Sequence, residues 1–108
     1  ASDVPRITID ELKAMLSSAR YVVVIDTRDR DSYAAAHIRG AINVPYQEVE
    51  LVAPQLPKSA KIDSLRLPAE QTSAGAALTL YALGFTDVEA LLGGWAAWVQ
   101  AGYPVKSQ

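Results

Sequence analysis

The sequence predicts an α/β domain in which a parallel β-sheet is covered by helices on both faces. Short apolar runs typical of strands alternate with amphipathic stretches typical of helices along the 108 residues. The run YVVVID at positions 21–26 is continuous and rich in β-branched side chains, which indicates a strand buried on both faces. Strands separated by helices pair in parallel through right-handed crossovers.

Length, composition and charge fit one small globular domain that spans residues 1–108. A chain of this size hides roughly 60–70% of its unfolded surface on folding, which is enough for a hydrophobic core. Hydrophobic residues make up 50% of the chain, charged residues 20%, and the net charge of -2 does not favour nucleic acid as a partner. Because the chain begins at Ala1 without a methionine, we expect a domain excised from a larger protein.

The cysteine count, the histidine count and the length of the apolar runs each exclude or disfavour a type of functional site or a membrane location. The sequence has no cysteine, which excludes disulfides, thiolate metal sites and thiol nucleophiles. The single histidine, His37, cannot form a metal site alone, so we expect no metal and no cofactor. The longest apolar run, 21–25, is too short to cross a bilayer and no leader opens the chain, so we expect a soluble, cytoplasmic domain with no membrane segment.

The first elements follow from capping and patterning. Thr8 and Glu11 form the signature of a capping box and predict a helix start, after which apolar residues fall on one helical face. The strand at 21–26 follows and is predicted to be the central strand. Asp26 and Arg28 come where it ends, on the side that faces the binding crevice in open α/β sheets. We favour an ion pair that fixes the loop over a catalytic role for these two residues.

The middle of the chain predicts short elements. A helix over 31–36 is ended by the segment His37-Ile38-Arg39-Gly40, and a second strand over 41–45 is stopped by Pro45. Residues 46–56 predict a weak helix or two turns. The next strand is expected over 61–65, although Asp63 and Ser64 occupy positions where a buried strand favours valine or isoleucine.

The last third predicts helix, strand and helix. An alanine-rich amphipathic helix over 73–83 is closed by Gly84, and a short strand covers 88–91. A final helix over 95–101 is capped by Gly102. In this helix, Trp95 and Trp98 share a face and are interpreted as core or crevice-wall residues rather than as a ligand platform.

The stretch KIDSLRLPAEQTSAG at 61–75 connects a predicted strand to a predicted helix. A polar loop there opens into the helix at Ser73. A loop that enters a helix N-terminus gathers backbone N–H groups which, with the helix dipole, favour an anion or a thiolate. The loop consists of Leu67, Pro68, Ala69, Glu70, Gln71 and Thr72.

Four segments together resemble the rhodanese-homology domain over almost the whole chain. They are, in order, VVVIDTRDRDSYAAAHIRGAINVPY, LPKSAKI, TSAGAALTLYALGFTDVEALLGGWAAW and AGYPV. The resemblance implies a rhodanese-like three-layer fold with a small, mainly parallel five-stranded sheet. It also implies a six-residue loop whose first residue is a cysteine that carries sulfane sulfur as a persulfide. The related phosphatases use a longer loop, so the six-residue count argues against that class.

Counting back from Ser73 places the family's cysteine position at Leu67. Leucine has no lone pair, and the hydroxyls of Thr72 and Ser73 are poor acceptors for sulfane sulfur, so sulfur transfer is not expected from this sequence. Cysteine-less domains resembling this family are binding or regulatory modules. The resemblance therefore implies a catalytically silent module that binds an anion, a peptide, a protein partner or an adjacent domain.

An alternative is an active sulfurtransferase whose cysteine at position 67 is lost through a displaced reading frame. One possible coding of residues 64–67, TCA TTG CGC CTG followed by C, reads CAT TGC GCC TGC when displaced by one nucleotide, which encodes His-Cys-Ala-Cys. The poor strand character of Asp63 and Ser64 motivates this hypothesis, which requires two compensating slips. The active form would take a sulfur-donor anion such as thiosulfate, or a protein persulfide.

Two further residues have alternative interpretations. His37 lies in AHIRGA, which resembles the family's GHIPGA turn, and is interpreted as a hydrogen-bonded structural residue rather than a general base. Thr72 replaces an arginine frequent near the loop end in the family, so the pocket is less positive. Glu70 either points into water, which we favour, or selects a substrate other than a doubly charged anion.

Overall fold

The computed structural model of the chain describes residues 5–18, 22–64 and 79–107. Five parallel strands form the main sheet: β1 (Arg6–Ile7), β2 (Val23–Asp26), β4 (Ile42–Asn43), β5 (Ile62–Ser64) and β6 (Val88–Leu91). Their order in space is β1-β6-β5-β2-β4, and every pairing is parallel. The predicted α/β fold with a five-stranded sheet is confirmed.

The helices lie between the strands in sequence. They are α1 (Ile9–Ser17), α2 (Arg30–Ala35), α3 (Val49–Val52) and α4 (Gly94–Gln100), and residues 79–82 are also helical. One 3-10 turn (Tyr46–Glu48) precedes α3 and another (Ala53–Gln55) follows it, which agrees with the weak helix or turns predicted there. Gly84 and Gly102 have φ angles of 102° and 73°, a conformation that side chains disfavour, so both predicted caps are present.

The start of α1 contains the predicted capping box. The Glu11 backbone N–H donates to the Thr8 hydroxyl at 3.1 Å, and the Thr8 N–H donates to the Glu11 carboxylate at 2.9 Å. This contact lowers the pKa of Glu11, because the charged form accepts hydrogen bonds from Thr8. Two of the N–H groups at the start of the helix are thus satisfied by side chains.

The prediction that the strand at 21–26 is central was wrong in one respect. The middle position belongs to β5, and β2 lies between β5 and β4. An apolar run indicates a strand that is buried on both faces, and β2 is buried at all four positions. Any interior strand can be buried in this way, so the run does not show which strand lies in the middle. Two short features were also not predicted: the edge strand β1, and an antiparallel ribbon formed by β3 (His37–Ile38) and β7 (Val105–Lys106).

Two apolar layers cover the sheet. Along β2, Val23 and Ile25 pack on one face with α3 and Leu80, whereas Val24 packs on the other face with Leu12 of α1 and Trp98 of α4. Alternate strand residues point to opposite faces, which explains this division. The sheet is therefore covered on both sides, and its carboxyl edge, where β2, β4 and β5 end, is the edge at which a site is expected.

The described residues contain neither a membrane-spanning helix nor a cluster of metal ligands. Within 5–18, 22–64 and 79–107, no helix has the length and apolar character needed to cross a membrane. The same residues contain no group of three or more histidine, cysteine, aspartate or glutamate side chains placed to hold a metal ion.

Candidate functional site at the carboxyl edge of the sheet

The predicted loop of the site lies outside the residues that the structure describes. Leu67, Pro68, Ala69, Glu70, Gln71, Thr72 and Ser73 all fall between 64 and 79, so their roles stay predictions. What the structure does describe is the strand before this segment, β5, and the carboxyl ends of its parallel neighbours. The described part of the candidate site is therefore this carboxyl edge of the sheet.

Asp26 and Arg28 form a buried ion pair at the end of β2. The Arg28 Nη2 donates to Asp26 Oδ2 at 2.8 Å and its Nε donates to Oδ1 at 3.0 Å. The Arg28 backbone N–H also donates to Asp26 Oδ1 at 3.0 Å. With 0% of the Asp26 side chain and 9% of the Arg28 side chain exposed, this is the ion pair favoured from the sequence, and it fixes the turn at the strand end.

Arg28 also connects the strand end to two other elements. Its Nη2 donates to the carbonyl oxygen of Ala36 at 2.7 Å, and its guanidinium lies 4.2 Å from the ring centroid of Trp95 in α4. A guanidinium over an indole face is a favourable cation–π contact. Trp95 is half-buried and contacts the edge residue, whereas Trp98 is buried in the core, where its indole N–H donates to the Pro104 carbonyl at 2.9 Å.

Asn43 is a positioning residue that the sequence analysis missed. It ends β4, and its side-chain amide donates to the carbonyl oxygens of Asp26 at 2.9 Å and Arg28 at 3.0 Å. The backbone continues this contact, since Val44 N–H donates to the Asp26 carbonyl at 2.9 Å. An asparagine at a strand end, two residues before a proline, was the available signal, because asparagine side chains often form hydrogen bonds with nearby backbone groups in turns.

His37 occupies a structural position in the ribbon formed by β3 and β7. Its Nδ1 lies 2.7 Å from the Tyr33 carbonyl oxygen, and its ring stacks on the Tyr33 ring at 3.7 Å between centroids. It is buried, and its backbone is paired with Lys106. These contacts give the ring a fixed place; that His37 is not a general base stays a prediction.

A polar cavity of about 310 Å³ opens beside the carboxyl ends of β2 and β4. Among the described residues, its wall contains three carboxylates and one cation, and this cation already pairs with one of them, since Arg30 Nη2 lies 2.6 Å from Glu48 Oε2. Asp29 caps α2, and hydrogen bonds from Ser32 lower its pKa, so it stays ionised. The surplus of negative charge on this described part of the wall does not favour a dianion beside it. The lining residues are Asp29, Arg30, Asp31, Pro45, Gln47 and Glu48.

The end of β5, which leads toward the predicted loop, carries polar side chains in a buried position. Asp63 and Ser64 are 0% exposed, and neither the Asp63 carboxylate nor the Ser64 hydroxyl has a hydrogen-bond partner in the described part of the chain. Burial raises the pKa of Asp63 to about 8, the neighbouring Glu89 carboxyl raises it as well, and Lys61 lowers it. The conflict seen in the sequence at these positions is therefore present in the folded chain.

Comparison with known proteins gives consistent results. The family model for the rhodanese-like domain matches residues 8–101. The Bacillus subtilis protein YrkF, named for a proposed sulfur-carrier role, is 30% identical over 98 residues, which are 91% of this chain and 52% of that protein. The chain thus spans about half the length of this relative.

Solved structures agree with the sequence comparison. The rhodanese-like domain of the Anabaena protein Alr3790 is 34% identical with a TM-score of 0.86, over 96% of this chain and 80% of that one. A Pseudomonas aeruginosa thiosulfate sulfurtransferase is 29% identical with a TM-score of 0.87, over 97% of this chain but 20% of that one. The match to the family model over most of the chain, together with these folds, shows that the chain belongs to the rhodanese-like domain family.

Proposed function

We propose that the chain with this sequence is a rhodanese-like binding module without sulfurtransferase activity. The observation that carries the proposal is the absence of cysteine from all 108 residues. In sulfur transfer from thiosulfate, a thiolate attacks the outer sulfur, the S–S bond breaks and sulfite leaves, so that a persulfide forms on the protein. No side chain at Leu67, Thr72 or Ser73 offers a thiolate for that step.

The preserved framework around the site supports a binding role. The buried Asp26–Arg28 pair and the two hydrogen bonds from Asn43 stabilise the carboxyl edge of β2 independently of a nucleophile. The occupant we propose for the loop at residues 67–73 is an anionic group, a peptide or an adjacent domain. An adjacent domain fits the observation that the relative YrkF is about twice as long as the matched region.

A pair of matched variants tests this proposal. In the presence of thiosulfate and cyanide, the unaltered chain should form no thiocyanate above the uncatalysed rate. Leu67→Cys should gain a persulfide, seen as a mass increase of one sulfur atom, because the loop N–H groups would stabilise its thiolate. Ala69→Cys is the control for a cysteine elsewhere in the same loop, and equal reactivity of the two variants would contradict the assignment of position 67.

The buried polar residues of β5 favour a second candidate function. If the native coding sequence has a cysteine at position 67 and a displaced frame replaced it, residues 63–67 would not be native. The unpartnered Asp63 and Ser64 in the middle strand are the kind of misfit that such a displacement produces. The native protein would then be a sulfurtransferase that takes sulfur from thiosulfate or a protein persulfide. Resequencing the source gene tests this candidate, since an in-frame leucine codon at position 67 rules it out.

The cellular setting stays a prediction. A cytoplasmic domain acting with a protein partner is what we propose from composition and from the sulfur-carrier name of one relative. Fractionation of cells expressing the complete protein would test the location, and recovery in the membrane fraction would contradict it.

A further inference from the structure

A carboxyl pair lies in the middle of the sheet, on the strand that leads toward the candidate site and on its neighbour: Asp63 is buried, and the Glu89 side chain is 21% exposed. Asp63 of β5 is paired in register with Glu89 of β6 on one side and with Val24 of β2 on the other. Asp63 is 0% exposed, and both of its carboxyl oxygens lack a hydrogen-bond partner in the described part of the chain. An isolated carboxylate in such a position is costly, because neither water nor a donor compensates its charge.

The charged groups around this pair do not neutralise Asp63. The Lys61 Nζ lies 3.1 Å from Glu89 Oε1 and 3.3 Å from Asp87 Oδ1, so the lysine forms ion pairs with those two carboxylates. Burial lowers the pKa of Lys61, but hydrogen bonds to Glu89 and Asp87 outweigh this effect and raise the pKa above its ordinary value. Lys61 therefore remains a cation. On the same face of β2, Asp26 is paired with Arg28.

Within residues 5–18, 22–64 and 79–107, the elements packed over this face place no further cation in an ion pair with Asp63. Arg6 of β1 and Glu11 of α1 line a cavity of about 350 Å³ together with Lys61 and Glu89, and Asp63 is not part of its wall. Glu11 is engaged in the capping box with Thr8. Helix α4 contributes Trp95 and Trp98 to the hydrophobic cluster around Val24, and neither side chain carries a charge.

Two adjacent carboxyl groups with one shared cation cannot both ionise at low cost. A proton on one of them removes a charge from the interior and supplies a donor for the other carboxyl, which satisfies the oxygens that otherwise have no partner. We propose that Asp63 and Glu89 hold one proton between them in the folded chain, and that loss of this proton at alkaline pH destabilises the middle strand of the sheet.

The direction of the pH dependence follows from linkage. Burial raises the pKa of Asp63 to about 8 in the folded chain, with Glu89 adding to the effect. An unfolded aspartate has a pKa of about 3.9, so the folded chain binds more protons between these values. The contribution of this carboxyl pair to stability is then greatest at low pH and falls as pH rises. For a single proton, the folding equilibrium constant falls by up to about tenfold per pH unit between roughly pH 5 and pH 8.

The consequence falls on the strand that leads to the candidate site. β5 lies between β6 and β2, and it ends at Ser64, three residues before the predicted loop begins. Charging Asp63 therefore weakens β5, the middle strand of the sheet. The pH dependence arises from residues 61, 63, 87 and 89 of the chain with this sequence, and it does not depend on whether the loop binds a partner.

Urea unfolding measured from pH 5 to pH 9 tests the proposal. Asp63→Asn has the same shape but no titrating group, and its amide donates to Glu89. We expect this variant to lose most of the fall in stability seen between pH 5 and pH 8 in the unaltered chain. Asp87→Asn is the matched control, because Asp87 contacts the same lysine but its side chain is 50% exposed, and this variant should keep the fall.

A direct titration keeps the test decisive if a variant does not fold. The Asp63 carboxyl carbon resonance of the unaltered chain should titrate with a midpoint near 8, well above an ordinary aspartate. A midpoint near 4 would overturn the proposal. Parallel stability curves for the unaltered chain and Asp63→Asn would overturn it as well.

Discussion

Replacing Arg28 by methionine should destabilise the domain strongly, because it leaves the Asp26 carboxylate buried without its charged partner. The change removes both side-chain donors to Asp26, the donor to the Ala36 carbonyl and the cation–π contact with Trp95. Removing one member of a buried ion pair costs about 3–5 kcal/mol. Domains of this kind are stable by about 5–15 kcal/mol, so Arg28→Met should lose a large part of the total.

The measurement is the free energy of unfolding by urea for this variant and a matched control. Arg30→Met is the control, because the Arg30 side chain is 68% exposed and its pair with Glu48 should contribute about 0–1 kcal/mol. Adding Asp26→Asn to Arg28→Met should recover part of the loss, since the unpaired charge disappears. A loss for Arg28→Met no greater than that for Arg30→Met would refute this account of the site's edge.

Two other substitutions give expected losses that the same unfolding measurement checks. Thr8→Ala removes one half of the capping box and should cost about 1 kcal/mol, while helix α1 persists; an unchanged stability would show that the box is not important. Trp98→Phe keeps an aromatic ring in the core but removes one of the two N–H donors to the Pro104 carbonyl, the other being the Arg39 backbone N–H at 3.3 Å, so we expect a loss of about 0.5–1.5 kcal/mol. A fully neutral Trp98→Phe would contradict the role given to this hydrogen bond.

Much of the fold follows from local sequence signals. The capping box at Thr8 and Glu11 locates the start of α1, and the β-branched run locates β2, because both signals lie within a few neighbouring residues. The strand order does not follow in the same way. Which strand occupies the middle depends on crossovers between distant segments, and the two-residue strands β3 and β7 are too short to produce a pattern.

The candidate site was predictable only in part. The Asp26–Arg28 pair was favoured because an acid and a base two residues apart at a strand end form a local contact. Asn43 was missed because its two partners lie 17 and 15 residues away in sequence. Asp63 was recognised as a conflict with strand propensity, yet its pairing with Glu89 required the register of β5 and β6.

The central claim is that this chain has the rhodanese-like fold without the thiol that sulfur transfer requires. The most direct measurement is thiocyanate formation from thiosulfate and cyanide by the purified chain, with its intact mass recorded before and after thiosulfate. We predict a rate equal to that of the buffer and an unchanged mass, because Leu67 cannot hold sulfur. Thiocyanate formation accompanied by the mass of an added sulfur atom would contradict the claim.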